Sequence, residues 1–327
     1  MKITDHVYFY PNKKVKGFLT PSNTVIIVGV TKQVMIDPGI NIQKRLDCLI
    51  DEMKEDNLDI RDTAEIWLTH VHPDHFQMMY DLFKIFKEER AVRCHPQGKS
   101  ILSARNLKEN FISREKRQAG SYWKLLWAPE DRGGIGQNTV VSTIVMIKEG
   151  ISDLWRKINN INLFFNGEVV SIPPIEVKII ALPGHAPDEI GFWIAQERLL
   201  ISGDLISIYQ PQDNKIDSKI VLYNFHSDID QALESIEKMK QIKELEILLT
   251  PHSDPVEGKE NLRKIFDKLI SKIRKYMAFS REFINKYPNL SGFRLVKELA
   301  KALPEKDLLL IEKRFIALAV LKSLGKI

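Results

Sequence analysis

Along the first 256 positions, apolar residues fall into short runs set off by Pro, Gly and Asn. These alternate with stretches in which apolar residues recur at every third or fourth place. The runs predict strands over residues 8–10, 24–28, 34–36, 66–68, 163–165, 176–182, 191–195, 199–201 and 247–249. Helical spacing, as in Leu46, Leu49, Ile50 and Met53, predicts amphipathic helices over 42–53, 76–86 and 229–242. Helices interleaved with short mixed strands imply a sheet sandwich covered by helices on its outer faces. Residues 97–160 break this rhythm: Phe111, Tyr122, Trp123, Trp127 and Trp155 sit among basic residues, and the stretch reads as an inserted helical cap with a flexible joint at RGGIG, 132–136. From residue 257 onward the pattern becomes helical throughout. Leu262, Phe266, Leu269 and Ile273, then Leu295 with Leu299, then Leu308, Ile311, Phe315 and Leu318 mark three helices separated at 288–292 and at Pro304.

The predicted organisation is therefore a mixed α/β body over 1–256, carrying the cap insertion at about 97–160, and a small helical, winged-helix-like module over 257–327. Charge sharpens that division. Residues 257–327 hold 17 Lys/Arg against 8 Asp/Glu, a balance of +9, whereas the rest hold 31 against 35, a balance of −4. A basic tail on an acidic body can attract a polyanion such as RNA, and it equally suits a dimerisation unit or a support under the site. Composition excludes whole classes: 44% hydrophobic residues rule out a disordered chain, and two cysteines cannot staple a chain of 327 residues. No run approaches the ~18 apolar residues of a membrane span. The opening MKITDHVYFYPN has no apolar core, so the expectation is a cytoplasmic protein in a reducing setting, with a homodimer left open.

The chemistry concentrates in histidine. Of eight, three crowd into LTHVHPDH, 68–75, between a buried strand and a helix, with Pro73 fixing the turn. Alternate residues of an extended loop face the same way, so His70 and His72 can share one cation, while Asp74 and His75 point elsewhere and can hold a second. Neutral imidazole and carboxylate are zinc donors, yet four side chains from one loop cannot complete two coordination shells. Distal donors are required. Three stand at the ends of predicted strands: His185 in ALPGHAPDEIGFW, Asp204 in LLISGDLIS and His252 in LLTPHSDP.

The set His70-x-His72-x-Asp74-His75, His185, Asp204 and His252 resembles the metallo-β-lactamase superfamily in its glyoxalase II-like dinuclear branch. SNTVIIVGVTKQVMIDPG, 22–39, is similar to that family's opening hairpin. The resemblance implies an αββα sandwich holding two divalent metal ions, zinc first, with iron or manganese as alternatives. Carried over by position, His70, His72 and His185 would bind the first metal and Asp74, His75 and His252 the second. Asp204 would bridge them, Asp74 would orient the nucleophile, and Asp37 would stand behind the ligands. The implied activity is a hydrolase that uses a metal-bridging hydroxide, on a small-molecule ester or thioester. The residues that clamp glutathione in true glyoxalase II are not evident. An RNA phosphodiesterase and a mononuclear iron persulfide dioxygenase are the alternative activities on the same scaffold. Lactam hydrolysis fits least, because those enzymes are exported and replace part of the Asp-His pair kept here. The family's usual Gly-His-Gly is Pro251-His252-Ser253 in this chain. His95 reads as structural or as standing behind the ligands, His226 as a surface or capping residue, and His6 has no functional reading. Cys48 and Cys94 have no base in the motif, which disfavours a covalent mechanism.

Overall fold

In the computed structural model the described residues are 1–12, 22–41, 44–104, 113, 117, 119–122, 157–209, 217–304, 308 and 310–327. The first half runs β1 (Val7–Tyr10), β2 (Thr24–Val28), β3 (Gln33–Ile36), α1 (Arg45–Glu55), β4 (Thr63–Trp67), α2 (Pro73–Phe76), α3 (Met79–Phe86), β5 (Ala91–Cys94), α4 (Pro96–Leu102) and β6 (Ile161–Leu163). The second runs β7 (Val169–Ile172), β8 (Ile175–Ala181), β9 (Ile190–Ile194), β10 (Leu199–Ile201), β11 (Ile206–Tyr209), β12 (Asp217–Ile220), α5 (Ile229–Gln241), β13 (Ile247–Leu249) and β14 (Val256–Glu257). Three helices close the chain: α6 (Lys259–Lys286), α7 (Gly292–Ala302) and α8 (Leu310–Ser323).

Two six-stranded sheets result, ordered β1-β2-β3-β4-β5-β6 and β14-β13-β10-β9-β8-β7, beside a small β11-β12 hairpin. Period-two alternation builds the layers. In the first sheet Val25, Ile27, Val34, Ile36 and Trp67 face the second sheet, while Ile26, Met35 and Ile66 face α1, α3 and α4. In the second sheet Val177, Ile179, Phe192 and Ile201 complete the inner core, and Leu200 and Leu248 turn outward onto α5 and the closing helices. The order is thus helices, sheet, sheet, helices, which is the expected αββα sandwich.

Strand direction positions the site. β8 and β10 are each antiparallel to β9, hence parallel to each other, and β13 is parallel to β10. Their carboxyl ends therefore emerge at one edge of the second sheet, each carrying one of the three distal candidates: His185, Asp204 and His252.

Several elements differ from the sequence expectation. The helix expected over 76–86 divides into α2 and α3, because Met78 N donates to Gly39 O and Gln77 Oε1 accepts from Asn41 N, which ties the break to the loop after β3. The strand expected at 163–165 lies two residues earlier; Phe165 is exposed beyond its end. β7 and the β11-β12 hairpin escape the pattern because serines interrupt β7 and β11, and three of the four residues of β12 are polar. α8 and α6 pack in one continuous apolar cluster with Leu200 and Leu248 of the body, and no strand lies beyond Glu257 among the described residues. Most of the cap expected over 97–160, including the 132–136 joint and its tryptophans, lies outside the described residues. No helix among the described residues is long and apolar enough to cross a membrane.

Candidate metal centre

LTHVHPDH leaves β4 as extended chain and turns into α2. His72 sits at the residue before that helix in extended geometry, and Pro73 occupies its first turn, where a missing N–H costs nothing. Asp74 and His75 follow inside the helix. His185 leaves β8 through Pro183-Gly184; Gly184 has φ of +147°, and a Cβ there would lie 2.6 Å from Ala232 Cα of α5, so only glycine fits. Asp204 follows the Ser202-Gly203 turn after β10. His252 follows β13, in a turn where Asn23 Nδ2 donates to Ser253 O at 2.9 Å and Ser253 Oγ accepts from Ile208 N at 2.7 Å. That hydroxyl contact gives the Ser of Pro-His-Ser a task that glycine could not perform.

The structure brings all seven sequence-selected residues together. Two groups form: His70, His72, His185 and Asp204, and Asp74, His75, Asp204 and His252, with the ligand atoms inside each group within 4.8 Å of one another. Nδ1 of His72 lies 2.8 Å from Nε2 of His70 and 3.1 Å from Nε2 of His185. Oδ2 of Asp204 lies 3.1 Å from Nε2 of His252, 3.3 Å from that of His75, 3.7 Å from that of His185 and 4.0 Å from that of His70. Asp74 Oδ2 is 3.4 Å from His252 Nε2.

The outer ring nitrogens reveal the tautomers. His185 Nδ1 lies 2.9 Å from the carbonyl of Val221, which can only accept, so the proton is on Nδ1 and Nε2 presents its lone pair to the site. Thr69 Oγ1 donates to Asp37 Oδ2 at 2.6 Å and therefore accepts from His70 Nδ1 at 3.2 Å. Asp37 Oδ2 also accepts from His75 Nδ1 at 2.9 Å, and its Oδ1 from Thr69 N at 2.9 Å. Asp37 holds this position at a φ of +47°, a strained backbone for a non-glycine residue. As expected from sequence, it stands behind the ligands.

Inward-facing imidazole lone pairs at such separations repel unless a positive charge lies among them. Both carboxylate oxygens of Asp74, Oδ1 of Asp204 and Nε2 of His75 are buried with no hydrogen-bond partner among the described residues. Buried acceptors without donors are what a cation satisfies, so the donor set fits divalent metal. Protons respond to the same field. Burial and the neighbouring His75 hold His70 well below the ordinary imidazole range, and burial likewise lowers His185. Burial opposes protonation of His75, but Asp204, Asp37 and Asp74 outweigh it and raise that ring well above its usual value. The same competition pushes His252 up to about 9. Burial would lift Asp204, yet His252 and His75 keep it strongly acidic.

Sequence reading missed part of the surroundings. His226, expected as a surface or capping residue, is half-buried with its ring centroid 5.5 Å from that of His72; Asp228 caps α5 instead. Asn224 is buried with Nδ2 3.4 Å from His185 Nε2, and Ser227 Oγ lies 3.2 Å from Asn224 Oδ1. Nothing in VLYNFHSD, 221–228, carries a metal-ligand spacing, so only the fold reveals it. His95 accepts from Gln97 N at the start of α4, a structural part, and Cys94 is buried with its thiol pushed up to about 12 by that burial and by Asp188.

Comparison with known proteins agrees with this architecture. A metallo-beta-lactamase family protein from Thermus thermophilus superposes with a TM-score of 0.66 at 16% identity, covering 99% of this chain and 95% of its own. A beta-lactamase domain protein from Burkholderia ambifaria gives 0.63 at 16%, covering 99% and 87%. An archaeal superfamily protein from Sulfolobus tokodaii gives 0.50 at 14%, covering 80% and 85%. At these identities the likeness speaks for the fold; in the first two it extends over the closing helices as well as the sandwich. No curated protein matches the sequence. The family model described as the metallo-beta-lactamase superfamily matches residues 17–252, which takes in both sheets except their edge strands β1 and β14, and every residue of the His/Asp cluster. On that match, joined to the four-layer fold, the chain belongs to the metallo-beta-lactamase superfamily.

Proposed function

We propose that the protein is a dinuclear metal-dependent hydrolase acting on an ester or thioester. The observation that carries this reading is that two complete donor groups share a single carboxylate, Asp204. In this reading His70, His72 and His185 hold one ion, Asp74, His75 and His252 the other, and Asp204 contacts both. Nitrogen and carboxylate donors suit zinc, with iron or manganese as the alternatives. When bound, such a pair supplies a water activated at neutral pH and positive charge against a developing oxyanion. The chain's own residues do the rest. Asp37, Thr69 and the Val221 carbonyl fix the imidazole tautomers so that lone pairs face inward. Asp74, whose carboxylate oxygens take no hydrogen bond among the described residues, orients the attacking water and receives its proton.

The complete second donor group favours two ions over the single iron of a dioxygenase. The +9 balance of residues 257–327 favours RNA as the alternative substrate. Metal quantification followed by a panel of thioester, ester, lactone, RNA phosphodiester and persulfide substrates tests the proposal. Two zinc ions per chain and turnover of the carboxylic esters or thioesters are the expected result. One iron per chain with persulfide oxidation, or cleavage of RNA alone, would overturn it.

A further inference from the structure

Two acidic residues outside the donor set, Asp188 and Glu189, are buried at 2% and 1% exposure within the turn that follows His185. Each is spent on backbone amides. Asp188 Oδ2 accepts from Val71 N at 2.9 Å, the amide between His70 and His72. Glu189 Oε2 accepts from Ala186 N at 3.3 Å, the amide after His185, and its Oε1 accepts from Leu205 N at 2.8 Å, the amide after Asp204. The intervening backbone is tied as well, since Ile190 N donates to Thr69 O at 2.9 Å.

We propose that Asp188 and Glu189 form a carboxylate clamp that sets the relative positions of three donor loops, making them positioning residues for the cation site. Burying two carboxyl groups is expensive, and in a purely structural core apolar residues of similar size would serve as well or better. What an apolar residue cannot offer here is an acceptor for the amides that adjoin His70, His72, His185 and Asp204. Those three segments come from two different sheets. The packing is close-fitted around the clamp. A Cβ on Gly203 would lie 2.5 Å from Glu189 Oε1, and one on Gly98 would lie 3.0 Å from Asp188 Oδ2 and 2.5 Å from Val71 Cγ2, so a side chain at either position would have to displace Glu189 or Val71. Glu189 reaches two loops with two oxygens, and no other side chain of that length offers two acceptors. Asp188 reaches one loop with one oxygen, a task that the Asn carboxamide can share.

This assignment rests on the reading that the seven residues hold metal, and it predicts an unequal pattern of loss. Asp188 touches only the loop of His70 and His72, so Asp188→Ala weakens one of the two zinc-binding steps by about 10–100-fold and leaves the other unchanged. Asp188→Asn keeps an acceptor for Val71 N and restores wild-type binding. Glu189→Gln retains one oxygen, loses one amide contact and acts on Asp204, so it weakens both steps. The experiment is zinc binding to the full chain in competition with a chromogenic chelator, read beside thermal melting of the zinc-free protein. Wild-type protein that binds no zinc would refute the proposed function itself. Wild-type protein that binds two ions, with Asp188→Ala and Glu189→Gln giving the same competition curve, would overturn the clamp alone, whatever the melting temperatures do. If Asp188→Ala does not fold, the nearly isosteric Glu189→Gln decides: weakened binding supports the clamp and an unchanged curve overturns it.

Discussion

The two halves of the site are held in different ways. In the half made by His70, His72 and His185, the side chains themselves are pinned. His70 is fixed through Thr69 and His185 through the Val221 carbonyl, and both are fully buried. In the half made by Asp74, His75 and His252, the support falls mainly on backbone. Ser22 Oγ donates to Asp74 O at 2.9 Å, and Asn23 Nδ2 donates to Ser253 O beside His252. Only His75 is fixed by its ring. The carboxylate of Asp74 and Nδ1 of His252 have no hydrogen-bond partner among the described residues, and the His252 side chain is 19% exposed. In one half two of the three rings, His70 and His185, are held from behind by the chain; in the other His75 is the ring so held among the described residues, and Asp74 and His252 lack such a contact. Ordering side chains on binding costs free energy, so the pinned half should bind its cation first and more tightly.

The largest expected effect erases the distinction. Asp204 belongs to both donor groups, so Asp204→Asn removes a negative charge from each, and with it the charge that does most to raise His75 and His252. Turnover should fall to background and metal content below one ion per chain, checked by elemental analysis of dialysed protein. A variant that keeps two ions after this substitution would show that the halves do not share a carboxylate at all.

Asp37→Asn comes next and probes the connection between halves from behind. One carboxylate oxygen accepts from His75 Nδ1 and from Thr69 Oγ1, and the latter holds His70. An amide in its place can satisfy only part of this chain of bonds. Loss of such partners typically costs about 10–100-fold in metal affinity. The loss should be greater in the His75 half, where the contact is direct, than in the His70 half, where Thr69 intervenes. Sequential zinc titration with Asp37→Asn measures both steps; equal losses would mean that Thr69 transmits the full effect.

The seven residues of the cluster were legible in the sequence because each is bound to a local signal: an alternating pair after a strand, a Pro that turns the chain into α2, and single His or Asp residues after apolar runs. The sandwich was legible for the same reason, since β2, β3, β8 and β9 carry long enough apolar patterns. What supports the donors was not. Asp188 and Glu189 look like ordinary surface acids in APDEIGFW, and their burial follows from long-range amide contacts to Val71 and Leu205. Asn224 and His226 reach the site on a loop whose path is decided by what packs beneath it. β12, Asp-Ser-Lys-Ile, holds one apolar residue in four, and Ser207 interrupts β11, so neither shows an apolar run.

That loop leads to the smallest expected effect, and to a limit on how far support extends. Val221, which fixes His185, follows β12, and the closing helices brace this segment. Lys322 of α8 donates to Phe225 O, the Phe225 and Phe315 rings meet edge-on at 5.1 Å, and Lys268 of α6 pairs with Asp217 at the start of β12. The pinned half is therefore pinned partly by the helical tail, whereas no such contact reaches His252 among the described residues. At Asp217 burial would raise the carboxyl, but Lys268 and the Ser218 amide outweigh it and hold it below the ordinary carboxylate range. A carboxyl lowered on folding stabilises the protein above its unfolded pKa of about 3.9, and that stabilisation disappears as pH falls through the lower folded value. The pair is half-exposed, with side chains at 45% and 26%, so its worth is about 1 kcal/mol or less. Asp217→Asn should melt no more than about 2–4 °C below wild type near neutral pH. The gap should close as pH drops below about 4. Zinc affinity at neutral pH should not change, because Asp217 sits four residues before Val221 and the Lys322 contact still holds the loop. A drop confined to the tighter zinc step would instead show that bracing at the root of β12 reaches His185, placing the tail among the determinants of that half of the site.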